Sequence, residues 1–532
     1  MGRIVILGLD GGCWELLESL IDREYMPNLE SLKIDSAFGF LGSTDPPVTA
    51  PAWVSFSTGV NPGKHSCFDF NKPQNSLTQL KPLQSWDIKA KTFYEILKES
   101  GKETILINLP GSYPPLTNFI TFTSILTRGN NSVFPAKLKE EEEVFKNYRI
   151  FPDTSYLRKG DIKGYIKDIY DVEYKRFQVL KKILFRDFDC LFYLFSGGDW
   201  ISHELYPQLL TKNAPQEAIE IFKLFDAIVY YILKNLNNDD SLIIVSDHGF
   251  KRSNGVVHLN EILLKNNLLF PDYLNPSPPL SHKMDENLFD KKEFVKFPPF
   301  LLKSALKNGF LRYSFKIVRK FGIPFPLFLK VDSKSSKCLM MTSESYGIMV
   351  NDKKRFNDGV VEIEEYEDLR KKIEKVLNEL EYQGKKVFKN IYFKEEVYKG
   401  EYLEMAPDLI FGDSDWGYSS GIRTLEVDPF AECERGIHSQ FGIFLAYGKN
   451  INKIEIPKGI LSVVDIMPTI LYLLGEKIPD NCDGRVLTLI IEESYLKKNK
   501  IKFFKAKKPL REEKEIENGE IAKRLKELGY MQ

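Results

Sequence analysis

Leu242-Ile-Ile-Val-Ser-Asp247-His248-Gly-Phe250 runs a short apolar stretch straight into an adjacent acid and imidazole. Four consecutive aliphatic side chains suit a strand buried on both faces, the kind found in parallel sheets covered by helices. An acid and a histidine at the mouth of such a strand are costly to leave unpaired. The segment therefore predicts a strand whose carboxyl end carries polar chemistry.

Working outward, similar apolar runs recur at 3–9, 104–109, 191–195, 409–411 and 443–446. Between them lie stretches with apolar residues at mixed three and four spacing: 16–21, 90–99, 165–185, 217–236, 366–380 and 463–474. Alternation of the two patterns predicts an α/β fold around a mainly parallel central sheet flanked by helices.

Composition narrows the class. The 532 residues allow roughly three units, and 43% hydrophobic with 28% charged residues excludes collagen, coiled coil and wholesale disorder. Lys plus Arg (74) equals Asp plus Glu (74), so no global field draws in nucleic acid or an anionic membrane. The cysteines, Cys13, Cys67, Cys190, Cys338, Cys433 and Cys482, are scattered, as in a reducing compartment or as buried thiols. No signal peptide and no run of about 20 apolar residues is present, which predicts a soluble, cytoplasmic protein.

The rhythm breaks between 261 and 339, where Pro271, Pro276, Pro278, Pro279, Pro298, Pro299, Pro324 and Pro326 punctuate basic, aromatic pieces. This segment is expected to be an inserted helical cap. It reads either as a basic amphipathic lid touching an anionic or lipid-linked substrate or a membrane surface, or as a cap that buries its aromatics and leaves its lysines solvated. A discontinuous core then spans 1–260 and 340–490. Residues 491–532 form a C-terminal extension with a lysine-rich run at 497–508, an acidic run, and a helix-like 521–528.

Polar residues cluster where strands end. Asp10 closes the first run ahead of Gly11 and Gly12; Ser196-Gly-Gly-Asp199-Trp-Ile-Ser-His203 follows another; Gly436-Ile-His438 precedes the last long one. Asp199 and His203 are four apart, so on a helix they share a face and can hold one ion. Thr49 sits in Asp45-Pro-Pro-Val-Thr49-Ala-Pro51, where Pro51 falls in the first turn of a predicted helix. A hydroxyl there faces the helix's N-terminal amides, and a threonine needs a base or a metal before it attacks. Taken singly, Asp10 reads as an N-cap, Thr49 as a turn threonine, and His203 or His438 as a hydrogen-bonded structural histidine. Jointly, three Asp, three His and one hydroxyl make two sets of N/O ligands suited to Zn2+ or another divalent ion. Two such ions about 3.5–4 Å apart clamp the attacking and leaving oxygens of an in-line phosphoryl displacement.

The order Asp10, Thr49-Ala-Pro, Gly59…Pro62-Gly-Lys-His65, Asp199…His203, Ser-Asp247-His248-Gly and Gly-x-His438 resembles the alkaline phosphatase superfamily. Within it the chain looks most like the type I phosphodiesterase/nucleotide pyrophosphatase branch and its prokaryotic phosphohydrolase or phosphomutase relatives. Ala406-Pro-Asp408-Leu, Asp465-Ile-Met-Pro468 and the tail from Arg524 to Tyr530 are also similar to family segments. The resemblance implies one metal on Asp199, His203 and His438. It implies a second on Asp10, Asp247 and His248, with Thr49 completing that shell, activated to attack phosphorus and give a phosphothreonine intermediate. Zn2+ is the ion it implies first, with Mn2+ as the other. The substrate it implies is a small phosphorylated one: a nucleotide, a sugar phosphate or a lipid-linked phosphodiester. An asparagine that donates to the phosphoryl oxygen in the nucleotide pyrophosphatases has Phe70 nearest its register here, which leaves Asn71 or Asp69 for that role.

Other functions remain open at this level. A phosphomutase or phosphotransferase uses the same metals, although mutases of this superfamily carry a serine where Thr49 stands. An inactive binding protein would be expected to have lost a ligand or the nucleophile, and all seven residues are present. A sulfatase requires Cys or Ser followed by x-Pro-x-Arg, and Thr49-Ala-Pro-Ala-Trp53 lacks that arginine.

Overall fold

Alternate residues of the first strand enter different apolar clusters: Val5, Leu7 and Leu9 join one, Ile4 and Ile6 another. The same two-residue period sends Leu191, Tyr193 and Phe195 to the first cluster and Cys190, Phe192 and Leu194 to the second. A strand buried on both faces needs helices on both. They are present in the computed structural model, which describes residues 2–127, 131–277, 328–343, 345–411, 418–421, 429–509 and 511.

Nine strands build the central sheet: β1 (Ile4–Leu9), β2 (Ala37–Gly42), β3 (Thr104–Ile107), β4 (Thr121–Phe122), β5 (Val133–Phe134), β6 (Cys190–Phe195), β7 (Ser241–Val245), β8 (Phe441–Gly448) and β9 (Ile454–Ser462). Their order is β9-β2-β8-β7-β1-β6-β3-β4-β5. From β7 through β1, β6 and β3 to β4 all neighbours are parallel, as is the pair β2 and β9. Against the expected parallel pattern, β8 runs antiparallel to β2 and β7, and β5 runs antiparallel to β4. The reason for β8 lies in its approach. The strand Phe430–Ser439 ends beside Gly249, just past the carboxyl end of β7, so the chain enters the sheet at that edge and must run back across it.

The helices that position the site are α1 (Trp14–Ile21), α2 (Thr49–Thr58), α3 (Phe93–Glu99), α4 (Ile162–Ile183), α5 (Gly197–Leu209), α6 (Gln216–Lys234), α7 (Tyr366–Asn378) and α8 (Ile466–Leu473). Residues of α1, α4, α5 and α6 fill the first cluster, and those of α2, α3 and α8 the second. In α2, Trp53 and Phe56 pack on the sheet beside Phe192 at ring distances of 5.4 and 5.5 Å. Each fully buried aromatic of this kind contributes about 1.5–3 kcal/mol relative to exposure.

A separate four-stranded sheet, ordered Cys338–Leu339, Gly347–Val350, Leu409–Ile410, Tyr392–Phe393, is antiparallel throughout. It packs with α7 in a third apolar cluster that also takes Ala50 and Val54 from α2. The run at 409–411, which the sequence groups with the central sheet, pairs here instead. A short strand covered on both faces is apolar whichever sheet it joins, so its pattern does not say which.

Most of the expected cap, 278–327, lies outside the described residues. The flanking strands Pro271–Ser277 and Phe328–Val331 pair antiparallel. The helix expected at 521–528 and the tail from Arg524 also lie outside the described residues. Among the described residues, no helix is long and apolar enough to cross a membrane.

Candidate active site

The register of three adjacent parallel strands collects the acids. Leu9 of β1 is level with Phe195 of β6, and Gly8 is level with Val245 of β7. Asp10 comes one residue after β1, Asp247 two after β7, and Asp199 lies in the first turn of α5, which follows β6. All three therefore gather at the carboxyl edge of the sheet, where ligands bind in folds of this type. His203 follows one turn along α5. His438 arrives on the strand Phe430–Ser439, directly opposite Phe250.

Two clusters result, Asp199 with His203 and His438, and Asp10 with Asp247 and His248; within each, one ligand atom per residue lies within 4.8 Å of the others. Oδ1 of Asp199 is 3.4 Å from His203 Nε2 and 3.3 Å from His438 Nε2. His248 Nε2 is 3.3 Å from Asp247 Oδ2 and 3.7 Å from Asp10 Oδ1. The clusters adjoin: the His248 and His438 rings stack with centroids 3.6 Å apart, and His248 Nε2 is 4.0 Å from Asp199 Oδ1. Thr49, the first residue of α2, places Oγ1 3.1 Å from His248 Nε2. All seven residues chosen from the sequence thus meet in one place. Six are buried, and His203 keeps a fifth of its side-chain surface exposed.

Backbone carbonyls set the imidazoles. His438 Nδ1 donates to Pro47 O at 2.9 Å and His248 Nδ1 to Gly249 O at 3.1 Å. In the neutral rings this leaves each Nε2 as a lone pair facing the carboxylates, the tautomer that binds metal. Phe250 walls the group, 5.0 Å from the His203 ring and 5.4 Å from that of His438. Gly11 makes room for it. With φ at 66°, a Cβ there would fall 2.3 Å from the Phe250 ring.

The electrostatics call for a cation. Burial pushes the Asp10 carboxyl well up, and Asp247 and Asp199 push it further. Asp247 is pushed up to about 7 by burial, with Asp199 adding to it. Burial would raise Asp199 too, but His203 and His438 outweigh it and hold that carboxyl well below its usual range. Burial and the neighbouring His438 keep His248 neutral. Asp10 Oδ1, Asp199 Oδ1 and Asp247 Oδ2 are buried with no hydrogen-bond donor. Three such oxygens among imidazole lone pairs fit divalent ions in chemistry and in spacing.

A cavity beside the clusters is lined by Asp10, Thr49, Asp199, Asn108, Ser124, Ser196, Pro110, Ile125, Ile150, Leu194 and Trp200. Asn108 escapes sequence reasoning; its one sequence signal is an Asn just past an apolar strand, a residue type that tolerates the left-handed conformation it adopts, with φ at 66°. Its Nδ2 donates to Ser196 Oγ at 2.9 Å and Leu194 O at 3.1 Å, so it holds the cavity wall. Asp69 and Asn71 line a second pocket with Ser66, Phe68, Lys72, Met341 and Met405, whose lining includes none of the seven. Asp69 Oδ2 there accepts from Thr342 Oγ1.

Paired Asp/His clusters at the carboxyl edge of a mainly parallel sheet, beside a buried hydroxyl at a helix N-terminus, define a metal-dependent hydrolase of the alkaline phosphatase superfamily. The model of the type I phosphodiesterase / nucleotide pyrophosphatase family matches residues 4–427, and the chain belongs to that family, whose members hydrolyse phosphoric esters. Murine ectonucleotide pyrophosphatase / phosphodiesterase 5 is similar in fold at 13% identity and a TM-score of 0.50, over 90% of this chain and 97% of that one. An inactive threonine-to-alanine variant of the same murine protein, in complex with AMP, gives 13% identity and 0.51 over 91% and 98%. Phosphonoacetate hydrolase from Sinorhizobium meliloti 1021, in complex with phosphonoformate, gives 12% and 0.50 over 89% and 95%. No sequence among curated proteins matches the chain.

Proposed function

We propose that the chain is a two-metal phosphodiesterase in which Thr49 is the nucleophile and small nucleotide-like or other phosphodiester molecules are substrates. The observation that carries this reading is the 3.1 Å approach of Thr49 Oγ1 to His248 Nε2, beside the junction of the two Asp/His clusters. Asp199, His203 and His438 would hold one divalent ion and Asp10, Asp247 and His248 the other, with Thr49 at the second; Zn2+ or Mn2+ suits these ligands. Bound there, the ions supply Lewis acidity, lowering the pKa of hydroxyl or water and offsetting charge on the phosphoryl group.

The chain's own residues do the rest. Thr49 Oγ1 attacks phosphorus in line as its proton passes to solvent, and the bond to the leaving oxygen breaks, that alkoxide taking a proton from solvent to depart as the alcohol and leaving a phosphothreonine diester. The amino end of α2 carries partial positive charge that stabilises the phosphoryl oxygens. Water then attacks the same phosphorus, the bond to Thr49 Oγ1 breaks, and the hydroxyl is restored. Two in-line displacements retain configuration at phosphorus. The AMP held by the murine relative, and the inactivity of its threonine-to-alanine variant, favour this assignment. The free thiols of Cys13, Cys67, Cys190, Cys338 and Cys482 suit the reducing cytoplasm as its setting.

The test is hydrolysis of bis-p-nitrophenyl phosphate and of a nucleotide panel by metal-stripped protein reloaded with Zn2+ or Mn2+. Cleavage that depends on added metal supports the reading. Transfer of the phosphoryl group to a second hydroxyl in place of water would move the assignment to a mutase or transferase.

A further inference from the structure

We propose that Glu173, paired with Arg176, is a positioning residue that fixes the start of α5 and thereby sets the ion affinity of the Asp199, His203 and His438 cluster. The inference rests on the reading of that cluster as a metal site. Glu173 and Arg176 are wholly buried, on a face of α4 otherwise made of Ile169, Val172, Phe177 and Leu180. Charges at such positions are rare unless they are paired and have a partner to serve.

The partner is the helix that carries two of the ligands. Glu173 Oε1 accepts from the backbone N–H groups of Ser196 and Gly197, each at 3.0 Å, and from Arg176 Nη1 at 2.8 Å. Those N–H groups belong to the start of α5 and have no helical carbonyl to bond. Ser196 makes no side-chain cap of its own, because its hydroxyl is engaged by Asn108. A carboxylate from α4 therefore caps α5, and its charge complements the helix's positive end. Asp199 lies in the turn being capped, so fraying of that turn would carry its carboxylate away from His203 and His438.

Three further contacts of Arg176 tie the pair to the site. Arg176 Nε donates to Arg149 O at 3.1 Å and Nη2 to Ile150 O, while the guanidinium lies 5.2 Å from the Trp200 ring. Ile150 and Trp200 both line the cavity shared with Thr49 and Asp199. The approach also depends on Gly197, where a Cβ would lie 3.0 Å from Glu173 Cγ.

Calorimetric titration of the metal-stripped full chain with Zn2+ tests this, comparing wild type with Glu173→Gln and Gly197→Ala, and using Asp199→Asn to identify the ion held by this cluster. The wild type is expected to take up two ions. In both test variants the ion lost in Asp199→Asn should bind about 10–100-fold more weakly, the range for partners that orient metal ligands, while the other ion keeps its affinity. Unchanged binding in the folded variants overturns the proposal, and so does equal weakening of both ions, which marks a general structural role. If Glu173→Gln does not fold, Gly197→Ala decides, since it keeps both charges and crowds Glu173 most closely, with Ile169 and Ile221 as the next neighbours of the added Cβ. A wild type that binds no ion fails the metal reading as well; normal uptake with unaltered variants fails the positioning role alone.

Discussion

His203 Nε2 and His438 Nε2 lie 3.1 Å apart, although 235 residues separate them in the chain. His438 has its other nitrogen committed to Pro47 O, so in the neutral ring the atom it turns to His203 is a lone pair. Asp199 Oδ1 faces the same point from 3.3 Å. A carboxylate oxygen and two imidazole nitrogens converging in this way are held together by positive charge between them, either a shared proton or a metal ion.

Metal should therefore stabilise the fold. Chelation is expected to lower the melting temperature and Zn2+ or Mn2+ to restore it, since an ion at about 1,000 times its dissociation constant contributes about 4 kcal/mol. In Asp247→Asn the metal-dependent gain should shrink. A melting curve indifferent to chelator and metal would contradict the expectation.

His65 gives a pH dependence independent of the metal ligands. It is buried, its Nδ1 accepts from Cys67 N–H at 3.1 Å, and its Nε2 donates to Ser55 Oγ at 2.8 Å. Burial lowers its pKa from 6.5 to about 3 despite the pull of Asp483. A depressed folded-state pKa gives stability that is present above 6.5 and is lost as pH falls toward 3. At pH 5 the unfolded chain holds this proton and the folded chain does not, which sets a slope of about 1.4 kcal/mol per pH unit from this group. His65→Asn should lower stability at pH 7 yet flatten the decline between pH 6 and 4 by about that slope. Urea unfolding at a series of pH values measures it, and parallel curves for the two proteins would contradict it.

The C-terminal extension is expected to clasp the core. Arg511, with a side chain only 5% exposed, donates to the carbonyls of Ser85, Ile88 and Ala90 and pairs with Glu95 at the start of α3. Arg511→Ala should cost about 2–4 kcal/mol by leaving these buried acceptors without a donor. Turnover per folded molecule should stay near wild type. Denaturant midpoints and active-site-normalised rates check the two parts, and an unchanged midpoint would contradict the clasp.

The site was more legible than the frame around it. Asp247 and His248 stand out because charge at the mouth of an apolar strand needs a partner; Asp10 and Asp199, ambiguous singly, become legible because the joint order matches a known superfamily. His438 is locally ambiguous, and only pairing with Phe250 shows why it arrives at the same edge. The antiparallel direction of β8 and the separate sheet around Ile348 and Leu409 were not legible. Buried strands of either kind are apolar throughout, and pairing partners are chosen by contacts distant in sequence. Glu173 was hidden because one acid within an amphipathic helix resembles any other until the backbone groups it meets are known.

The most direct test of the central claim is mass analysis of protein quenched in acid during turnover of bis-p-nitrophenyl phosphate with bound Zn2+ or Mn2+. The expected result is a phosphoryl ester adduct on the peptide containing Thr49, absent from Thr49→Ala, whose hydrolysis rate should fall by at least about 10³-fold while its metal content is kept. An adduct on another residue, or Thr49→Ala protein hydrolysing the diester at the wild-type rate, would contradict the account.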